Sequence, residues 1–197
     1  MRAQDGAPGP RDTTRPATLD ERVRTWWQQP AHRPATPLRL AMRAIDWTAS
    51  PGTVVLPPLV WALASATDAA GPARGAQRTT EAVLLGAATT GLLKLAFGRA
   101  RPAVHGRSDD WQFGRGRDGS GFQAFPSGHT TVAVAAAATW MAESRGTAPM
   151  VATAATFALG AGIARMVFDK HWLTDVLAGA VVGTASALAV QAYHRGR

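Results

Sequence analysis

Five long stretches with few or no charged side chains follow one another from residue 47 to the C-terminal end of the chain. They are Trp47–Thr67, Glu81–Arg99 (broken between its charged ends only by Lys94), Pro126–Ala142, Gly146–Ala164 and Val176–Tyr193. A helix that crosses a bilayer needs about 20 largely apolar residues, within a range of about 17–25. The pattern therefore predicts an all-α fold, a multi-pass transmembrane helical bundle of about five spans.

The N-terminal part follows a different pattern. Residues 1–37 are rich in proline, threonine, aspartate and arginine, which predicts a disordered polar tail with at most a short helix at Leu19–Gln29. From residue 38 to 47, apolar residues recur at helical spacing opposite a polar face, which predicts an N-terminal helix in the membrane interface. That polar face carries Arg39, Arg43 and Asp46. The expected membrane domain is residues 38–197.

Composition alone gives another impression. The 197 residues include no cysteine, and the formal net charge of +8 and mean hydropathy of −0.05 fit a soluble, nucleic-acid-binding protein. However, the mean hydropathy averages a polar tail with spans rich in alanine and glycine, and small residues such as Gly179 and Gly183 favour close helix packing in lipid. The arginine-dominated charge is typical of GC-rich coding, so we expect a membrane and no nucleic acid as partner. A soluble alanine-rich bundle is the alternative.

Unusual polar residues mark the ends of the predicted spans. Because helices joined by short loops run antiparallel, the end of span two, the start of span three, the end of span four and the start of span five meet on one face. We expect one polar site there, built from Lys94, Arg101, Ser127, Gly128, His129, Arg165, His171 and Asp175.

The residue types in this group predict an anion site. Its three cations include two arginines, whose planar forks suit bidentate contacts to phosphate. Ser127 is a natural cap for the third span, whose N-terminal N–H groups and helix dipole favour an anion, and Gly128 would let the backbone approach it closely. A tetrahedral oxyanion such as phosphate fits this set.

Two histidines add chemistry that works at neutral pH. His171 and Asp175 are spaced i, i+4, so the carboxylate can hold one ring nitrogen while the other is presented. We assign His171 as the nucleophile and His129 as the general acid that protonates the leaving oxygen.

These residues fall in three motifs, and in all three the chain resembles the phosphatidic acid phosphatase type 2 superfamily. The family's first motif is Lys, six residues, then Arg-Pro, and it matches Lys94–Pro102. The second, Pro-Ser-Gly-His, matches Pro126–His129. The third is Ser-Arg, five residues, His, three residues and Asp, and it matches 164–175 except that Ala164 replaces the serine, which has no assigned catalytic role.

The resemblance implies an all-helical fold and a phosphatase mechanism that uses a phosphohistidine and neither metal nor cofactor. The phosphate would be bound by Lys94, Arg101, Ser127, Gly128 and Arg165. His171 would attack phosphorus, Asp175 would orient it, and His129 would protonate the leaving group and then activate water. Membrane members usually act on lipid phosphates or diphosphates, so a phosphatidate-type or polyprenyl-type lipid is the expected substrate.

Three other functions remain as alternatives. A soluble acid phosphatase of the same superfamily is normally exported with a signal peptide, and the tail lacks the features of one. A vanadium haloperoxidase would use a similar pocket, with His171 ligating vanadate, but those chains are generally much larger. A non-catalytic protein that binds anionic membranes or nucleic acid would not need intact motifs.

The long loop 99–125 is expected on the same face as the site. Its polar and aromatic residues, which either shape the substrate entrance or belong to a plain solvated loop, are His105, Arg107, Asp109, Asp110 and Trp111. This face carries more arginine than the opposite one, so the positive-inside tendency predicts a site on the cytoplasmic side of the cell membrane. Many bacterial relatives are instead thought to act on the outer side.

Overall fold

The computed structural model of the protein describes residues 15–67, 69–143 and 147–196. Within these ranges the chain is helical apart from loops, short 3-10 and π turns and one isolated β-bridge, between Arg99 and Trp111. The α-helices there are α1 (Leu19–Gln28), α2 (Thr36–Trp47), α3 (Thr53–Ala66), α4 (Ala70–Phe97), α5 (Pro102–His105), α6 (Gly128–Glu143), α7 (Ala148–Val167) and α8 (Leu173–Arg195). The predicted all-α class is confirmed.

Helix α1 lies in the segment that the sequence predicts as a disordered tail. A capping box starts it, because the Thr18 hydroxyl accepts the Glu21 N–H while the Glu21 carboxylate accepts the Thr18 N–H. The short helix expected near Leu19 is thus present, and its inner face contacts α7 and α8. These tertiary contacts, which composition does not reveal, are why the tail prediction differs from the structure here. Residues 1–14 of the predicted tail lie outside the described residues.

Helices α2 and α3 form one continuous helical stretch. The π-helical turn Thr48–Gly52 joins them and contains Pro51, whose missing N–H is accommodated by this local change in hydrogen bonding. The predicted interfacial helix is therefore the beginning of the first long helix. The stretch has 31 residues, and at about 1.5 Å per residue it extends for about 47 Å, more than the hydrocarbon core of about 30 Å. One end of it must lie outside that core.

Four helical stretches in the described part of the chain are long and apolar enough to cross a membrane: Thr36–Ala66, Ala70–Phe97, Ala148–Val167 and Leu173–Arg195. The remaining predicted span, at 126–142, corresponds to α6, which has only 16 residues. Helix α6 is the centre of the bundle, because α4, α7 and α8 all pack against it. The spans that were expected from charge-free stretches are thus four long helices around one short one.

Small residues bring α6 and α8 into close contact. A Cβ atom at Gly179 would lie 2.6 Å from the carbonyl oxygen of Ser127, and one at Gly183 would collide with the carbonyl oxygen of Thr131. The close packing expected of this glycine pair is confirmed. The first turns of the two helices consequently lie side by side, where the Ser127 N–H donates to the carbonyl oxygen of Asp175 at 2.9 Å.

The loop between α4 and α6 folds over the same end of the bundle. Gly98 ends α4 with φ +55°, a conformation that favours glycine, and a Cβ there would overlap the carbonyl oxygen of Gln112. Beyond this turn the backbone of residues 98–100 pairs with that of residues 110–112. The Arg101 N–H also donates to the Gly121 carbonyl, at 2.8 Å. The backbone that carries the first motif is therefore fixed by hydrogen bonds.

Candidate active site

His171 is buried in the short connection between α7 and α8. Its Nδ1 atom lies 2.7 Å from the carbonyl oxygen of Ala124 and 3.5 Å from Oδ2 of Asp175. A carbonyl oxygen can only accept, so Nδ1 carries the proton in this contact and Nε2 keeps its lone pair. The contact therefore selects the tautomer that a nucleophile at Nε2 requires.

The surroundings also keep His171 uncharged. Burial lowers the pKa of His171 to about 4, because desolvation penalises the imidazolium form. The positive charges of Lys94 and Arg101 act in the same direction, whereas Asp175 opposes them. At neutral pH the imidazole is consequently present as the free base.

Asp175 lies fully buried at the start of α8. Its Oδ2 accepts the backbone N–H of Trp172 at 2.8 Å, and its Oδ1 accepts an N–H of Arg99 at 2.5 Å. Both contacts are shorter than the one to His171, whose ring is held more closely by the Ala124 carbonyl. The expected contact between Asp175 and His171 is thus present, and the same carboxylate also fixes the backbone beside the imidazole.

Two cations come from the first motif. The Lys94 ammonium at the end of α4 donates to the carbonyl oxygen of Gln123 at 2.5 Å. Burial, and after it the positive charge of Arg165, lower the pKa of Arg101. Within the described residues the buried Nε of Arg101 has no hydrogen-bond partner. Clustered positive charge with an unpaired buried donor is what a bound anion would complete.

Arg165, at the end of α7, is paired with a carboxylate from α2. Its Nη1 lies 2.7 and 2.8 Å from the two carboxylate oxygens of Asp46. Its Nε is buried and, in the described part of the chain, also lacks an acceptor. Because Nε and Nη2 form the edge of a guanidinium that grips an oxyanion with two parallel bonds, Asp46 holds Arg165 without using that edge.

His129 stands in the first turn of α6, beside the same carboxylate. Its Nε2 is 3.9 Å from Oδ1 of Asp46, which therefore lies between His129 and Arg165. The imidazole is only partly buried. A partly exposed histidine at the mouth of the site, 3.9 Å from a carboxylate, is the candidate for the proton-transfer role that the sequence assigns to it.

The N-terminal end of α6 forms one side of the site. Ser127 is fully buried, its hydroxyl oxygen accepts the Thr130 hydroxyl at 2.9 Å, and its carbonyl accepts the Thr131 N–H at 2.9 Å. A Cβ at Gly128 would lie 3.7 Å from Cε of Lys94, so this glycine borders the lysine side chain. The N-terminal end of a 16-residue helix is thus next to a cation, and both favour negative charge.

The structure brings every site residue predicted from the sequence to one end of the bundle: Lys94, Arg101, Ser127, Gly128, His129, Arg165, His171 and Asp175. Sequence reasoning missed three charged residues, namely Asp20, Asp46 and Arg99. Asp46 was visible only as part of a polar helix face, and Arg99 lies inside the first motif at a position that the motif leaves open. Asp20 had no local signal beyond the capping-box spacing of Thr18 and Glu21.

Part of the loop 99–125 supports the site. Trp111 lies against the guanidinium of Arg99, at 4.5 Å from the ring centroid, and its ring also contacts Phe97 and Phe125 at centroid distances of 5.9 and 5.1 Å. The loop is therefore packed at Trp111, and a role in shaping the substrate entrance stays a prediction. The side chain of His105 is outside the described part of the chain.

The arrangement can hold a tetrahedral oxyanion and present both a nucleophile and a proton donor to it. The unprotonated Nε2 of His171 would serve as the nucleophile, and His129 is the second titratable group. No three His, Asp or Glu side chains cluster as a metal site among residues 15–67, 69–143 and 147–196. A buried, unprotonated imidazole near clustered cations fits substitution at phosphorus through a side-chain nucleophile.

Comparison with known proteins identifies a family and a curated relative. The family model described as the PAP2 superfamily matches residues 78–197, more than half of the chain. A stretch of 91 residues is 38% identical to the lipid A 1-phosphatase of Porphyromonas gingivalis. That match covers 46% of this chain but only 17% of the relative, so the chain spans a small part of that protein.

Two solved structures share the fold. The crystal structure of Aquifex aeolicus LpxE superposes with a TM-score of 0.63 at 20% identity, covering 89% of this chain and 93% of that one. The crystal structure of a transmembrane PAP2-type phosphatidylglycerolphosphate phosphatase from Bacillus subtilis superposes with a TM-score of 0.59 at 18% identity. The match covers 90% of this chain and 85% of that one. The predicted transmembrane helical bundle is confirmed by these neighbours.

Proposed function

Because the chain belongs to the PAP2 superfamily, we propose that it is an integral membrane phosphatase that hydrolyses the phosphate monoester or diphosphate of a lipid through a phosphohistidine. One observation carries this proposal: the unprotonated His171 ring is buried where the charges of Lys94 and Arg101 act on it, and Arg101 and Arg165 have buried Nε donors without partners in the described chain. The imidazole supplies a nucleophile, and the two unpaired arginine donors can bind the phosphate group that the imidazole attacks.

In the first step, the Nε2 lone pair of His171 attacks phosphorus. The new P–N bond forms as the P–O bond to the lipid breaks, and the leaving oxygen takes the electron pair. His129 gives its proton to that oxygen. Lys94, Arg101 and Arg165 bind the equatorial oxygens, whose negative charge they stabilise.

In the second step, water attacks the phosphohistidine. His129, now neutral, takes a proton from the water as the new P–O bond forms, and the P–N bond breaks with its electrons returning to Nε2. Inorganic phosphate leaves, and His129 is protonated again for the next turnover. Throughout both steps the Ala124 carbonyl and Asp175 stabilise the positive charge that develops on the His171 ring.

A lipid substrate is supported by the membrane setting and by the relatives. The site lies at one end of a bundle whose long helices suit a bilayer. The matched relative is a lipid A 1-phosphatase, and one structural neighbour is a phosphatidylglycerolphosphate phosphatase. We therefore place the substrate among phosphatidate-type, polyprenyl-type and lipid A-type phosphates.

The experiment is phosphate release by the purified full chain in detergent from phosphatidic acid, phosphatidylglycerol phosphate, a polyprenyl diphosphate and lipid A. We expect release from at least one of them, unchanged by EDTA and lost in His171→Ala. Quenching with a 32P-labelled substrate should trap a phosphoenzyme that is stable to base and labile to acid, as phosphohistidine is. An His171→Ala protein as active as wild type would refute the mechanism.

We further propose that the site faces the cytoplasm, on the basis of the arginine excess on its side of the predicted topology. The chain has no cysteine, so a single cysteine at the exposed Ser120 reports on this side alone. Ser120→Cys should resist a membrane-impermeant maleimide in intact cells and react after the membrane is opened. Labelling from outside in intact cells would assign the opposite orientation.

A further inference from the structure

A chain of buried charges connects the N-terminal helix α1 to the proposed catalytic centre. Asp20 of α1 is 5% exposed, Arg99 is 3% exposed and Asp175 is fully buried. Arg99 lies between the two carboxylates, with Nη2 2.7 Å from Oδ2 of Asp20 and Nη1 2.5 Å from Oδ1 of Asp175. Buried charges are costly unless they are paired, so the three side chains depend on one another.

The protein uses every donor of Arg99. A guanidinium has five N–H groups, and Arg99 makes five hydrogen bonds: two to the Ser108 carbonyl and one each to Asp20, Thr174 and Asp175. Arg101 and Arg165 instead have unpaired buried Nε atoms in the described chain. Arg99 therefore has no donor left for phosphate, and its contacts fix other residues.

Asp20 also holds the first turn of α8 directly. Its Oδ1 accepts the Thr174 N–H at 2.9 Å, and its Oδ2 accepts the Thr174 hydroxyl at 2.6 Å. The early N–H groups of a helix have no partner within the helix, and here a carboxylate from another helix supplies one. Thr174 immediately precedes Asp175, so Asp20 restrains this carboxylate through both the backbone and Arg99.

A second ion pair attaches α1 on the other side of His171. Arg24 donates to both carboxylate oxygens of Asp169, each at 2.7 Å. Helix α1 thus contacts residues 169 and 174, which flank the proposed nucleophile. Both contacts come from a segment that precedes the stretch matched by the family model, residues 78–197.

We propose that Asp20 and Arg99 are positioning residues for the reaction, and that α1 is for this reason part of the catalytic unit; the inference rests on the proposed function. Asp20 orients the Arg99 guanidinium, and Arg99 fixes the rotamer of Asp175 beside the His171 ring. Neither residue touches the substrate. Their loss should impair turnover while leaving the capture of the phosphate group intact.

The test is a double-mutant cycle on phosphate release by the full chain in detergent. Asp20→Asn keeps the shape of the side chain but removes its charge, and we expect it to lower kcat about tenfold or more with KM within about twofold. In an Asp175→Asn background the same change should have almost no further effect, because Asp20 acts through Asp175. Asp118→Asn, the same substitution in an exposed ion pair with Arg115, is the matched control and should keep wild-type activity.

A purely structural role would give a different result. If Asp20 only held the fold together, Asp20→Asn would lower activity by the same factor in both backgrounds, in step with a lower thermal unfolding temperature. That result, or unchanged kcat in Asp20→Asn, would overturn the inference. A wild-type protein that releases no phosphate from any lipid would instead overturn the proposed function and this inference with it.

A second variant covers the case in which Asp20→Asn does not fold. Thr174→Val removes the hydroxyl that donates to Asp20 and accepts from Arg99, and it leaves both charges in place. We expect a loss of about threefold in kcat with KM unchanged, since two hydrogen bonds to charged groups are lost while the direct ion pair between Asp20 and Arg99 remains. An unchanged kcat, or a loss in KM alone, would contradict the positioning role.

Discussion

Two regions of the molecule supply charged groups to one site by different routes. In residues 78–197, which the family model matches, the groups lie at fixed spacings within motifs and at the ends of four helices. In residues 15–67 two carboxylates, Asp20 and Asp46, reach the site from helices that carry no motif. The first region holds the groups that would touch phosphate, and the second holds partners for its arginines.

This difference shows what constrains each set. A nucleophile, a proton donor and a phosphate fork must be particular residue types at particular positions, so they leave a pattern in the sequence. A carboxylate that steadies an arginine only has to come within hydrogen-bond distance, and any helix that packs nearby can supply it. Mutations in the two regions should therefore affect the reaction to different degrees and in different parameters.

The largest expected effect lies in the matched region, at the proposed proton donor. His129→Asn should lower kcat for a lipid phosphate by about 10³-fold, since general acid–base catalysis contributes about 10²–10⁴-fold. The loss in kcat/KM, which reports phosphoryl transfer to His171 and not hydrolysis of the phosphohistidine, should be smaller for p-nitrophenyl phosphate, whose leaving oxygen needs no proton. His194→Asn is the control, because His194 pairs with Glu81 at the opposite end of the bundle and should leave kcat unchanged. Equal losses for both substrates would remove His129 from the acid role.

A smaller loss is expected at Arg165. Arg165→Lys keeps the charge but loses the planar fork, and we expect a fall of about 10²-fold in kcat/KM, in the range found on removing one donor to a developing oxyanion. Initial rates over a range of lipid phosphate concentrations in detergent would measure it. Retention of wild-type kcat/KM would show that the unpaired Nε of Arg165 does not bind phosphate.

The ion pair between Arg165 and Asp46 can also be broken by changing Asp46, its partner in the N-terminal region. Asp46→Asn removes the charge that holds Nη1 of Arg165 and lies near His129, and we expect a fall of about tenfold in kcat/KM, less than for Arg165→Lys. The comparison between the two regions is made on these two variants, assayed side by side. If Asp46→Asn lost as much as Arg165→Lys, the carboxylate would belong with the groups that contact substrate.

The smallest expected effect is the change in His171 protonation when the pH falls to mildly acidic values. Because the pKa of His171 is lowered to about 4, its free base persists as the pH falls to 5, where only about a tenth of the rings would be protonated. Nucleophilic capacity is thus present above pH 4 and lost as the pH falls through it. NMR of 15N-histidine-labelled protein, assigned with His171→Asn, would measure this titration. A midpoint near 6.5 would contradict the burial of the ring.

The same contrast explains what could be predicted from the sequence. The eight residues of the proposed site could be predicted to lie together because three motifs and the antiparallel order of the helices bring them to one end of the bundle. Arg99 lies within the first motif, but its role depends on Asp20, 79 residues away. Asp46 is 119 residues from Arg165, and as sequence it resembles the polar face of any interfacial helix. Contacts at such separations are set by helix packing, which local patterns do not encode.

The shortness of α6 bears on how a lipid substrate would reach the histidines. The ion pair between Arg78 and Glu143 marks the polar boundary at its far end. Its 16 residues measure about 24 Å, so a hydrocarbon layer of about 30 Å would place His129 about 6 Å beneath the opposite boundary. Such hydrophobic mismatch draws water and headgroups inward locally. A substrate that arrives by lateral diffusion could therefore be dephosphorylated without leaving its leaflet.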